Sequence, residues 1–92
     1  MIKNFKHKGL KKLFEDGNKS GVQAAYAKRI VRILDRLNAA TDAKDMNAPG
    51  YDFHPLKGDL AVFFSVHVNG NWTIVFQFDR GDATDVDLID YH

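Results

Sequence analysis

The feature that most constrains this chain is a change of hydrophobic period at residue 51. Before it, apolar residues recur at three- and four-residue spacing, as in helices lying on a core; after it they alternate, as in half-buried strands. In "HKGLKKLFEDG", Leu10, Leu13 and Phe14 stand at i, i+3 and i+4, and Gly17 is the expected C-terminal stop. A second helix is expected from about "SGVQ" to about Ala40, with Tyr26, Ile30, Ile33, Leu34 and Leu37 in one apolar stripe. "IKNF" reads as a short strand before the first helix, and "TDAKDMNAPG" as a helical turn closed by Pro-Gly. "AVFFSVHV", "NWTIVFQF" and "ATDVDLID" are β-rich runs separated by "NG" and "DRGD". The expectation is one α+β domain over residues 1–92, two N-terminal helices packed on one face of a small, mostly antiparallel sheet.

Burial of one face selects the register of the first hairpin. A two-residue Asn69-Gly70 turn would mix polar and apolar residues on both faces. A three-residue loop, Asn69 to Asn71, pairs Val68/Trp72, Val66/Ile74, Phe64/Phe76 and Val62/Phe78 on an entirely apolar face. The opposite face then pairs His67/Thr73, Ser65/Val75 and Phe63/Gln77, and is expected to stay open, with Asn71 taking the left-handed conformation. In the last run Val86 and Leu88 share a parity, so Ile89 and Tyr91 point the other way, toward the side of His67 and Thr73. By the same parity Asp85 and Asp87 lie on the open face. Trp72 falls on the apolar face and is expected in the core.

The 92 residues contain no cysteine, which suits a reducing cytosol and removes disulfide and thiolate chemistry. The short apolar runs and the absence of a signal-peptide h-region in "MIKNFKHKGL" point to a cytoplasmic protein with no membrane span. A net charge of +1 hides an asymmetry: residues 1–41 hold ten basic against three acidic residues, and residues 42–92 hold three against nine. Lys28, Arg32 and Arg36 stand four apart on the second helix with Arg29 beside them. Such a half-chain suits a polyanion, although charged helix faces are more commonly only solvated.

The chain closes on "DLIDYH", a carboxylate, a phenol and an imidazole, Asp90, Tyr91 and His92, directly after a strand-like run. "FHPLKG" supplies partners: Pro55 holds His54 extended, and Gly58 lets the chain turn after Lys57. Imidazole exchanges protons near neutrality, and an ammonium can neutralise charge developing on phosphate oxygens. Cleavage of RNA by its own 2′-hydroxyl requires a base, positive charge and an acid, and no metal. His54, Lys57 and His92 match those needs in type, while Tyr91 could position a phosphate or stack on a base. Four histidines make a metal site the competing reading, but no HExxH, His-x-His or compact carboxylate loop is present. A serine hydrolase lacks its nucleophile elbow. His7, among lysines, reads as a cap or surface residue.

"MIKNFKHKGLKKLFEDG", "HPLKGD", "SVHVNGNWTIVFQF" and the terminal "DYH" together resemble HigB toxins of the RelE superfamily, over essentially the whole chain. The resemblance implies a RelE-like fold with the site in the open face of the sheet. It implies a ribosome-dependent endoribonuclease that cuts mRNA and arrests growth, without cofactor or metal. It further implies a HigA-type antitoxin partner that binds operator DNA, so that the toxin reaches DNA only through it, and a toxin that meets the small-subunit RNA of the ribosome and mRNA. The site carries over to His54, Lys57, Asp90, Tyr91 and His92. HigB-like sequences read "NWRI" where this chain reads "NWTI", so Thr73 stands at the position of a phosphate-clamping arginine, and threonine has neither charge nor a bidentate fork. Facing Thr73 across the expected hairpin, His67 is a candidate substitute cation. Lys28, Arg29, Arg32 and Arg36 are candidate contacts to ribosomal RNA. Two other functions stay open at this point: an antitoxin-binding co-repressor with a weakened nuclease, and a gyrase-directed toxin of the related ParE type, which would not need the His54, Lys57 and "DYH" set.

Overall fold

The computed structural model describes residues 1–58 and 62–90. Helix α1 spans Lys8–Asp16 and α2 spans Ala27–Ala39; strands β1 (His54–Pro55), β2 (Phe64–Asn69), β3 (Trp72–Asp79) and β4 (Asp82–Asp90) form one antiparallel sheet in the order β1-β2-β3-β4. The helices lie on one face of the sheet. Leu10 and Leu13 of α1 and Ile30, Ile33, Leu34 and Leu37 of α2 meet Val66, Val68, Ile74, Phe76, Ala83 and Val86 in a single core. Each large apolar side chain withdrawn from water there contributes on the order of 1.5–3 kcal/mol.

Local chemistry sets the helix ends. His7 caps α1, its Nδ1 accepting the Leu10 N–H at 3.1 Å, and Gly17 ends the helix at φ 70° with its N–H on the Leu13 carbonyl. The second helix begins later than the expected start at about "SGVQ". Gly21 lies so close to Gly9 that a Cβ on Gly9 would sit 2.3 Å from the Gly21 oxygen. This backbone contact holds residues 20–23 as a turn with Gln23 extended, and one 3-10 turn, Ala24–Tyr26, leads into α2. Another 3-10 turn, Ala43–Met46, carries a capping box between Asp42 and Asp45. Hydrogen bonding from the Thr41 backbone, aided by Asp42 and the Arg36 charge, holds the Asp45 carboxyl below its usual pKa despite the opposing effect of desolvation.

The first six residues run parallel to β4 along its outer edge rather than forming a continuous strand. Lys3 N–H bonds to the Ala83 carbonyl and Lys6 N–H to the Val86 carbonyl, both at 2.8 Å. Between them the ladder is interrupted by a bulge in β4 at Asp85 (φ 52°), whose carboxylate accepts from Asn4 Nδ2 at 2.8 Å and Gln77 Nε2 at 2.9 Å. The bulge lets both Ala83 and Val86 face the core despite their odd separation. Asp85 is therefore tied into this edge instead of adding loose negative charge to the other face.

The hairpin register agrees with the expectation for Phe64/Phe76, Val66/Ile74, Ser65/Val75 and His67/Thr73, and differs at both ends. Trp72 pairs with Asn69 and not Val68, because a bulge at Val68 absorbs one residue; the loop is Gly70-Asn71, and Gly70 takes the left-handed conformation (φ 55°). The ladder stops at Phe64, so the Val62/Phe78 pair does not form and Val62 is 63% exposed. The face expected to be open is also less open. Ser65, Thr73 and Val75 are all buried there, flanked by strands on both sides, and Leu56, just after β1, is also buried outside the main core.

Candidate active site and basic surfaces

His54 stands on edge strand β1 directly opposite Ser65 of β2. Its backbone approach is unusual: Asp52, two residues earlier, has φ 48°, a left-handed conformation uncommon outside glycine. That turn aims the Asp52 carbonyl at the imidazole, 2.9 Å from Nδ1, while Nε2 lies 3.3 Å from Ser65 Oγ. The exposed ring thus covers a serine that is only 1% exposed. Ser65 shares parity with His67 and so lies on this face, but a strand serine carries no signal of its own in the sequence. Lys57 is exposed, in the turn beyond β1 that Gly58 (φ 70°) permits, and makes no ion pair among the described residues.

On the next row, His67 faces Thr73, and Thr73 faces Ile89 of β4. Both candidate RNA contacts bond to the hairpin. His67 Nε2 donates to the Gly70 carbonyl at 2.8 Å, and Thr73 Oγ1 donates to the Asn71 carbonyl at 3.3 Å. Thr73 is 7% exposed, so its hydroxyl offers little to a ligand, while the half-buried imidazole of His67 is held by one nitrogen against the turn. Asp90, exposed at the end of β4, pairs with Trp72. Tyr91 and His92 lie outside the described residues. The sheet order puts β1 and β4 on opposite edges, three strand spacings or about 14 Å apart. The described residues therefore gather His54, Ser65, His67 and Thr73 on one face, with Asp90 at the far edge.

The basic residues of α2 divide into two groups. Arg29 faces inward: one guanidinium nitrogen donates to the Gly50 carbonyl at 2.6 Å and to the His67 carbonyl at 3.0 Å, and the group stacks over Tyr51. Arg36, seven residues on and so on the same side, donates through Nε to the Asp45 carbonyl at 2.7 Å and also lies over Tyr51. Arg29 and Arg36 thus hold the helix to the loop that leads into β1. Lys28 and Arg32 face elsewhere, rimming with Lys19 a groove floored by Leu13, Ala24, Ala27 and Val31. The sequence grouped all four by spacing; internal acceptors separate them. Trp72, as expected, packs against the core, and with His7, Gly21, Tyr26 and Leu88 it lines a cavity of about 270 Å³. No group of three or more metal-ligating side chains occurs among the described residues.

A small antiparallel sheet with two helices on one face and a histidine-bearing opposite face defines a RelE-like toxin architecture, and the comparisons agree. The model of the HigB-like toxins, RelE-like toxins of type II toxin–antitoxin systems, matches residues 3–92. The chain belongs to this family. It is 49% identical over 92 residues to the endoribonuclease HigB of Proteus vulgaris, covering the whole of both chains. It is 31% identical over 85 residues to the toxin HigB-1 of Vibrio cholerae, covering 90% of each. Membership of a type II system implies an antitoxin partner. Among the described residues no helix is long and apolar enough to cross a membrane.

Proposed function

We propose that this toxin is a metal-independent endoribonuclease that cuts mRNA on the ribosome. The supporting observation is His54, an exposed imidazole with both ring nitrogens hydrogen-bonded, mounted on an edge strand three residues before Lys57, which is exposed and makes no ion pair among the described residues. The endoribonuclease named among its relatives, from Proteus vulgaris, supports the same activity. In the reaction, His54 takes the proton of a ribose 2′-hydroxyl, and the 2′-oxygen bonds to the adjacent phosphorus. The bond from phosphorus to the 5′-oxygen then breaks, giving a 2′,3′-cyclic phosphate and a 5′-hydroxyl. His92 returns a proton to the leaving oxygen, Lys57 offsets charge on the non-bridging oxygens, and Tyr91 and Asp90 position the phosphate and its donors. Lys28 and Arg32, with no acceptor among the described residues, contact ribosomal RNA; Arg29 and Arg36 are engaged within the protein. The antitoxin is of the HigA type and carries the pair to operator DNA in the cytoplasm.

The test is cleavage of an mRNA by the purified toxin, with and without programmed ribosomes. Cleavage only with ribosomes, reduced by about 10²–10⁴ in His54→Ala, is the expected result. Cutting of free mRNA at the same rate contradicts ribosome dependence, and an undiminished His54→Ala contradicts the role of the histidine.

Thr73 supports a second reading, in which the nuclease is weakened and the protein acts mainly as antitoxin partner and co-repressor. Buried and bonded to the Asn71 carbonyl, this hydroxyl brings no charge to a phosphate. On that reading Thr73→Arg speeds cleavage well above the parent rate. If His67 supplies the missing charge instead, His67→Ala slows the parent and leaves Thr73→Arg unaffected.

A further inference from the structure

We propose that Ser65 is a positioning residue for His54, holding the imidazole in one orientation and, with Asp52, in one tautomer. This rests on the reading of His54 as the proton-transfer group. A carbonyl oxygen only accepts, so the Asp52 carbonyl at 2.9 Å requires a proton on Nδ1. The neutral ring then bears its lone pair on Nε2, and the atom facing that lone pair is Ser65 Oγ, at 3.3 Å. Free imidazole side chains in water favour the opposite tautomer, with the proton on Nε2. The left-handed backbone at Asp52 therefore sets the basic nitrogen as well as the ring's direction.

The serine is built to serve both protonation states. Its hydroxyl has a second acceptor, the His54 backbone carbonyl at 3.4 Å. While the ring is neutral, Ser65 donates to Nε2. When Nε2 becomes protonated, the serine proton turns to the His54 carbonyl. Oγ is then free to accept from Nε2–H. A group that is 1% exposed never loses its hydrogen bond in this exchange, which matters because a buried unsatisfied hydroxyl is costly. Alanine at this position would keep the strand and lose the hydroxyl's bonds to Nε2 and to the His54 carbonyl.

Long-range ¹H–¹⁵N spectra of the histidine rings in the free protein test this, with Ser65→Ala beside the parent. The parent should show a protonated, pyrrole-type Nδ1 and a pyridine-type Nε2 at His54, and Ser65→Ala should shift the ring toward a mixture with Nε2–H. In ribosome-programmed cleavage Ser65→Ala should lower kcat about five- to tenfold, the rate equivalent of one ordinary hydrogen bond, with KM unchanged. A parent ring protonated on Nε2, or a Ser65→Ala ring indistinguishable from the parent, overturns the proposal. Those spectra judge it whether or not His54 proves catalytic; undiminished cleavage by His54→Ala would instead defeat the functional reading beneath it.

Discussion

The two faces of the sheet are built by different rules. On the helix side, Val66, Ile74, Phe76 and Val86 are fully buried among apolar partners, aliphatic and aromatic. On the other side, Ser65 and Thr73 are buried as well, yet their hydroxyls are committed to His54 and to the hairpin turn. The first face supplies stability and fixes register; the second spends its burial on orienting an imidazole. The contrast implies that side-chain truncations on the two faces have different readouts.

The largest expected effect is on the core side. Phe76→Ala should destabilise the protein by about 3–5 kcal/mol in urea titrations, through lost transfer energy and the cavity left behind. Ser65→Ala should cost only about 1 kcal/mol while still slowing cleavage. If the two variants lose similar stability, or Ser65→Ala loses none of its rate, the division between the faces fails. A sharper version lies on α2. Arg29→Ala strands the Gly50 and His67 carbonyls and should cost about 1–3 kcal/mol. Arg32→Glu should leave stability within about 0.5 kcal/mol and weaken ribosome co-sedimentation instead. An Arg32→Glu toxin that pellets with ribosomes like the parent would make that groove rim merely solvated surface.

The smallest effect is at Asp45. Its carboxyl has a lowered pKa in the folded protein, so its contribution is present above the unfolded value and lost as pH falls through the folded one. Asp45→Ala should therefore melt below the parent at pH 7, and the gap should close below about pH 4. A gap that persists at low pH would assign the loss to packing alone.

How far the sequence could be read follows from the same physics. Period and parity sufficed for the helices, the strand runs and the His67/Thr73 pair, because burying one face leaves a single register for the middle of the hairpin. They failed at the Val68 and Asp85 bulges, where one extra residue resets parity for a local reason no alternation reveals. The late start of α2 was hidden in a contact between two glycines twelve residues apart. At the site, His54 and Lys57 were legible as chemical types in a constrained "HPLKG" turn. Ser65 and the Asp52 carbonyl were not, since a serine in a strand and a backbone oxygen carry no sequence signal until the fold brings them to the ring. The split between Arg29 and Arg32 was equally invisible, because helical spacing orders charges around an axis without showing which side finds carbonyls.

In the proposed reaction the protein cuts RNA through the substrate's own 2′-hydroxyl, with His54 as the proton acceptor. The most direct measurement uses a programmed ribosome carrying an mRNA with a single 2′-deoxy nucleotide at the position the parent toxin cleaves. No cleavage is expected at that nucleotide. The all-ribose control should yield a 2′,3′-cyclic phosphate on one fragment and a 5′-hydroxyl on the other. Cleavage of the 2′-deoxy message at the parent rate, or fragments ending in a 3′-hydroxyl and a 5′-phosphate, would contradict it.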